Sequence, residues 1–488
     1  LFEPRFDSLQ PVGIAYCNTA ADVATCLSFV TKFQLPVRVR SGGHSYAGWS
    51  SVNGGVIIDV SPMNSVSFTG DTVTVGAGID LIRFYAPLAA SGVAVPGGSR
   101  PTIGIAGLTL GGGIGSLTRL LGTTSDNMTA TELVAADGTE LTCDDTQNTD
   151  LFWACRGGGG GNFGITTSLT FRTRPLSTLC VFVLSWPWSQ AARVIKAWQS
   201  WAPHAPDNLW STVRLSANFG VSQPPHQRTT SPTTTSPTTT SPTPTSPTPT
   251  SPIPTSPPTG GPTITAPTLT VMGTYAGPLH GAARHLDAFY AQVGTGPAVS
   301  SLRRETFLNA MLLEADCAGI PLYACRAGPS GHPPRVPSFA KSDFFTRPLR
   351  AHAIRLLLSG IEEVGSIQGA AGGVGTITLA ACGGAMNKPS LAATAFVHRD
   401  ALFLAQYSTT WASPGAHSDV VRQRGWLRAY YQSLHQHASG QAYQNYVDPD
   451  LVDWPDAYYG TNYPWLTLVK TRVDPTNVFQ FPQSIVPG

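Results

Sequence analysis

Charge is thin in this chain of 488 residues: only 12% are Asp, Glu, Lys or Arg, and 30 basic residues nearly balance 28 acidic ones. There is no basic run, so the electrostatic footprint that a nucleic-acid backbone requires is missing. No apolar stretch approaches the ~18–20 residues that a membrane-spanning helix needs. The G-x-S-x-G elbow of many hydrolases is absent. So is C-x-x-C spacing, and His435 and His437 lie two apart rather than on one helical face, so no metal site is expected. The sequence opens on Leu1-Phe2-Glu3-Pro4, as expected if any targeting peptide has been removed or lies outside it.

What is present points to two or three domains, at ~100–200 residues each. Six of the eight cysteines fall in short-range pairs, Cys17 with Cys26, Cys143 with Cys155 and Cys317 with Cys325, leaving Cys180 and Cys382 over. Three local disulfides, and hence an oxidising, extracellular setting, are the expectation. Residues 229–262 collapse to Ser, Thr and Pro, with Ser231, Ser236, Ser241, Ser246, Ser251 and Ser256 at a strict spacing of five. Such a tract cannot bury a core. Strand-like flanks at 209–217 and 267–275 mark it as an insertion in a hairpin loop. It reads either as an O-glycosylated stalk or wall tether, or as a neutral repeat expansion.

From Asp22, apolar Val23, Cys26, Leu27, Val30 and Phe33 share one helical face, and Pro36 then introduces a strand at 37–39. Further helices are expected near 281–292 and 420–437, in an α+β layout. Three segments concentrate glycine: Arg40-Ser41-Gly42-Gly43-His44-Ser45, residues 104–115 (GIAGLTLGGGIG) and residues 156–164 (RGGGGGNFG). Successive glycine amides can form an anion-binding concavity, so three such loops suggest a diphosphate cradle. Residues 159–164 satisfy G-x-G-x-x-G, but the alternating ITTSLTF that follows reads as a strand, and a dinucleotide fingerprint needs a helix there.

Residues 36–45 (PVRVRSGGHS) resemble the flavin-attachment loop of the berberine-bridge-enzyme-like oxidases, in the wider vanillyl-alcohol-oxidase group. Residues 150–165 (DLFWACRGGGGGNFGI) resemble the segment that closes their FAD-binding domain. GQAYQNYVDPD at 440–450, Tyr458-Tyr459-Gly460, and Val469-Lys470 with DPTNVF at 474–479 resemble the C-terminal module. The resemblance implies an α+β fold with a PCMH-type FAD-binding domain (residues 1–180) and a substrate-binding domain on an antiparallel sheet (181–430, insert at 226–266). A C-terminal segment (431–488) returns to the first domain. It places FAD against Arg40, Ser41, Gly42, Gly43, His44 and Ser45, against Thr102, Ile103 and Gly104, and against Gly107, Gly112 and Gly115. Gly161, Asn162, Gly164, Ile165 and Asn445 complete that set. His44 matches the histidine bonded to the flavin 8α-methyl carbon. Many members add a cysteine bond from a G-x-C-P-T-V-G segment. Here Gly98-Ser99-Arg100-Pro101-Thr102-Ile103-Gly104 has Arg100 instead, and guanidinium cannot replace a thiolate, so attachment should be single and the site less open.

The implied activity is hydride transfer from an alcohol or hemiacetal of a sugar, oligosaccharide or secondary metabolite, with O2 as final acceptor and H2O2 as product. Such chemistry needs a base for the hydroxyl proton. Tyr446 or Tyr443 is the candidate, with Asn445 positioning flavin or substrate. As an extended segment, 443–446 would put Tyr443 and Asn445 on one face and Tyr446 on the other. Lys341, Arg399 or His398 could support the base, and Trp411, Tyr407 or Tyr323 could stack on a sugar or pack in the core. By resemblance Ile103 gates oxygen, intermediate between a permissive Val and an excluding Leu. The alternatives are a dehydrogenase of the same family and a non-catalytic flavoprotein. Asn127-Met128-Thr129 is a glycosylation sequon inside the FAD domain, expected to be unmodified.

Overall fold

The computed structural model describes residues 1–219, 266–326, 331–367, 373–411 and 417–488, so nearly all of the Ser/Thr/Pro insert lies outside the described residues. The chain begins with β1 (Gly13–Tyr16), α1 (Ala20–Lys32), β2 (Val37–Arg40) and β3 (Val56–Asp59), a small parallel sheet in the order β1-β3-β2. Helix α1 starts where the sequence suggested. The Thr19 side chain accepts from Asp22 N at 3.2 Å while Asp22 Oδ2 accepts from Thr19 N at 2.9 Å, a reciprocal cap that satisfies two otherwise orphaned donors.

Next come β4 (Val66–Thr69), β5 (Thr72–Gly76), α2 (Leu81–Ala90), β6 (Val93–Ala94), α3 (Ile105–Leu110), α4 (Thr118–Leu121), β7 (Met128–Val134), β8 (Glu140–Asp144), α5 (Thr149–Ala154), β9 (Ile165–Arg172) and β10 (Arg174–Pro175). Five of these strands form a sheet in the order β4-β5-β9-β7-β8, and β6 pairs with β10. The segment after the last glycine loop is strand β9, as its alternation required.

The second sheet is built from β11 (Thr178–Ser185), β12 (Leu209–Asn218), β13 (Thr268–Tyr275), β14 (Val299–Thr306), β15 (Ser338–Phe345), β16 (Val374–Ala381) and β17 (Phe403–Thr410), in the order β14-β11-β13-β12-β16-β17-β15. Every neighbouring pair is antiparallel. Strands β12 and β13 pair in register from Leu209↔Tyr275 to Ser216↔Thr268, so the insert does sit in a hairpin connection.

Alternation gives this sheet two unlike faces. Val213 and Leu215, Ile377 and Leu379, and Phe403, Ala405 and Tyr407 are buried in one core with α6 (Ala191–Trp201), α7 (Leu279–Val293), α9 (Ala351–Ser366) and α10 (His417–His435). The residues between them, among them Gln406, Ser408 and Thr410, point the other way and roof the cavity described below. Helix α8 (Phe307–Glu314) joins the first domain's core through Phe307, Ala310 and Met311. So does the C-terminal segment with α11 (Trp454–Tyr459) and α12 (Tyr463–Val473), which buries Leu466, Val469, Phe479 and Ile485 there.

Candidate active site

The loop after β2 abuts the start of α3 so closely that only glycine fits on either side: a Cβ on Gly42 would lie 2.1 Å from Gly104 N, and one on Gly104 2.3 Å from Gly42 N. This contact presents His44 to a cavity of about 380 Å³, within the usual size of small-molecule sites. His44 Nε2 is 2.8 Å from Thr102 Oγ1, and its ring stacks on Phe2 with centroids 4.2 Å apart. Burial, then the nearby Arg100 charge, pushes its pKa down to about 3, so the imidazole is neutral at physiological pH.

Two further glycine loops line the same cavity through Gly104, Gly107, Gly159, Gly160, Gly161, Asn162 and Gly164, together with Ser41, Gly42, Gly43, Ser45 and Ile103. Arg38, Gln444 and Gln483 also line it, and each holds a buried side-chain atom without a hydrogen-bond partner among the described residues (Nε, Oε1 and Oε1). Orphaned polar atoms around a glycine cradle are what a polar dinucleotide would satisfy, so the residues present fit FAD.

Five expected cofactor residues do not line the cavity. Arg40 is tied to buried Asp59 (Nε to Oδ2, 2.6 Å). Thr102 acts through His44, Gly112 makes room for Phe396, Gly115 N donates to Thr118 Oγ1 at 2.8 Å, and Ile165 is fully buried in the core.

Residues 443–446 are not extended. Tyr446 N donates to Tyr443 O at 2.8 Å, closing a turn that brings Tyr443, Asn445 and Tyr446 together at the cavity. The buried Tyr443 hydroxyl accepts from Gly113 N (2.9 Å), Ile114 N (3.2 Å) and Asn445 Nδ2 (2.9 Å). Asn445 Nδ2 also donates to Leu108 O at 2.9 Å. The tyrosine is thereby anchored to the second glycine loop. Tyr446 has no such tether among the described residues; its ring packs edge-on to Tyr443 and Tyr46. Burial raises its pKa, and the cation that opposes the rise is Arg100.

None of the three expected supports of the base reaches it. Lys341 bonds Asp448 at 2.6 Å, Arg399 makes a two-pronged pair with Asp126, and His398 bonds Gln441. The aromatic candidates for sugar stacking also lie elsewhere: Tyr407 is in the core, donating to Asp343, Trp411 packs on Phe339, and Tyr323 is 78% exposed. Asn127 spends its amide on Leu121 O and Thr123 O. Gln406, Ser408 and Thr410 were missed although alternation within FLAQYSTT could have found them. Tyr46, whose hydroxyl accepts from Gln406 Nε2 at 3.1 Å, and Gln483 carry no comparable signal.

The family model described as FAD binding domain matches residues 11–144, and the one described as berberine and berberine like matches 442–486. The uncharacterized FAD-linked oxidoreductase YgaK of Bacillus subtilis is 31% identical over 98% of this chain and 91% of its own. The chain belongs to the berberine-bridge-enzyme-like family of FAD-linked oxidoreductases. The berberine bridge enzyme-like C-1 of Nicotiana tabacum is 28% identical over 98% of this chain and 85% of its own. The solved structure of the berberine-bridge-enzyme-like protein 28 of Arabidopsis thaliana superposes with a TM-score of 0.81 at 25% identity, covering 100% of this chain and 95% of that one. This berberine-bridge-enzyme-like oxidoreductase thus has the expected α+β, PCMH-type architecture, with an antiparallel sheet over the flavin-binding domain.

Proposed function

We propose that this oxidoreductase holds FAD covalently through His44 and oxidises the carbinol or hemiacetal carbon of a small molecule, with Tyr446 taking the hydroxyl proton. The observation that carries the reading is His44 itself. Thr102 engages Nε2 and no described residue bonds Nδ1; in the tautomer whose Nε2–H donates to Thr102 Oγ1, the neutral ring keeps a nucleophilic lone pair on Nδ1. Bound FAD supplies the acceptor for the substrate hydride, and O2 then receives the electron pair as H2O2. Tyr446 is favoured over Tyr443 because its hydroxyl is not consumed by structural hydrogen bonds. The sheet's polar face orients the substrate, and the aromatic cluster of Tyr46, Tyr443 and Tyr446 excludes water. Ile103 lines the cavity, so a dehydrogenase using another acceptor is the second reading, decided by whether peroxide forms.

Extracellular location rests on the cysteines. All eight are free in this structure, but Cys17 Sγ and Cys26 Sγ are 3.8 Å apart and Cys317 contacts Cys325. Oxidation would close both pairs with small movements. The insert is then a stalk or wall tether facing glycan, or a neutral expansion.

The test is acid precipitation of flavin-supplied protein followed by intact-mass measurement. The wild type should keep its yellow colour and one FAD mass, and His44→Ala should lose both. A colourless wild-type precipitate overturns covalent attachment.

A further inference from the structure

Arg100 and Arg214 are exposed cations set beside the cavity rather than on the outer surface alone. Neither side chain has a hydrogen-bond or ion-pair partner among the described residues.

Arg100 lines the cavity, and its charge acts on His44, Tyr46 and Tyr446 alike. Arg214 stands on the roof. Its cross-strand partners run Thr270, Arg214, Thr378, Gln406, and directly opposed residues share a face, so it lies on the face of cavity-lining Gln406, two strands or ~10 Å away. Water reaches its surface, yet surrounding protein lowers its pKa, with Asp316 opposing and Arg100 adding to the lowering, so a second cation stands within reach of its charge. Glu314 is pushed up to about 7 by burial and bonds Ser116, and Asp316 acts on Arg214 through space but makes no ion pair with it among the described residues.

A guanidinium on the cavity wall and a second on the adjoining sheet face, neither ion-paired to a carboxylate among the described residues, leave one element of charge missing. We propose that the substrate carries an oxyanion, a carboxylate or phosphate, and that Arg100 and Arg214 receive it. The inference rests on the oxidoreductase reading of this cavity and adds the substrate's charge to it. Guanidinium suits the task because its forked donors match both anions. The position that doubly linked relatives give to a flavin-bonding cysteine thus serves substrate recognition here.

Purified holoenzyme, Arg100→Gln and Arg214→Gln are titrated calorimetrically with matched pairs: glucuronate and glucose 6-phosphate against glucose, and mandelate against benzyl alcohol. Anaerobic bleaching of the flavin is followed with the same compounds. At least one anion should bind wild type about tenfold or more tighter than its neutral partner, as a charge-assisted contact predicts. Each variant should lose most of that ratio, and 0.5 M salt should weaken it in wild type. Glucuronate against glucose 6-phosphate tells carboxylate from phosphate. The proposal is overturned if no anion outbinds its neutral partner, if both variants keep the preference, or if Arg100→Gln sheds flavin while anion binding is unchanged. Selective anion binding without bleaching by any compound would uphold the subsite and sink the alcohol-oxidation reading, so the two fail separately.

Discussion

Thr102 and Tyr443 are single side chains whose effects can be separated from those of the groups they hold. Thr102 fixes which imidazole nitrogen of His44 is available. Thr102→Val should fold normally yet give a mixture of acid-stable and acid-released flavin, read from the mass spectrum of the precipitate. Tyr446→Phe should lower kcat by about 10²–10⁴-fold with little change in melting temperature, as expected for loss of a general base. Because burial lifts the phenol above its ordinary pKa of ~10, the wild-type rate should climb with pH through the neutral and alkaline range, and the Phe variant should lose that limb. Tyr443→Phe is predicted to do something different. It strands Gly113 N–H, Ile114 N–H and part of the Asn445 amide in a buried place, which costs about 1–3 kcal/mol of stability, measurable by denaturant titration. The roles of 443 and 446 could not be told apart in the sequence, because which hydroxyl is spent on structure depends on loop amides more than 300 positions away.

At the scale of elements, patterns that a strand or helix carries by itself were readable, and contacts between distant elements were not. The α1 stripe through Val23, Leu27 and Val30, the strand after the third glycine loop and the hairpin flanking the insert each follow from local periodicity and are present, whereas Phe33, expected on the same stripe, caps the helix and is exposed. Tyr443-Gln444-Asn445-Tyr446 misled because four residues cannot distinguish alternation from a turn, and a backbone bond from Tyr446 to Tyr443 decides it. The pairing of Arg40 with Asp59 was not legible, because Asp59 lies on the neighbouring strand, out of sight of the motif. The hairpin carries its own prediction. Replacing residues 220–265 by a four-residue turn should leave flavin content intact and hold or raise the melting temperature. The β12–β13 register is fixed by the flanking pairs, and shortening the loop removes about 0.6 kcal/mol of closure cost per halving.

Across the whole molecule, the last 45 residues act as a clamp on the third glycine loop. Lys470 Nζ, fully buried, donates to Asn162 O (2.7 Å), Asp474 Oδ2 (2.6 Å) and Phe479 O (2.7 Å). Ile485 N donates to Asn162 Oδ1, Tyr459 to Gly158 O and Gln444 Nε2 to Gly157 O. Lys470→Met leaves the Asp474 carboxylate buried without its cation, and should cost about 3–5 kcal/mol and weaken flavin retention, seen in melts with and without added FAD. The clamp also dictates an order of events during biosynthesis. A ribosome that has released the flavin-binding half has made only an open trough, since the wall carrying Asn445 and Gln483 is still in the exit tunnel or not yet translated. A chain truncated before Asn445 lacks that wall and is therefore predicted to retain far less flavin than the full chain under the same flavin supply, read as flavin absorbance per protein after gel filtration.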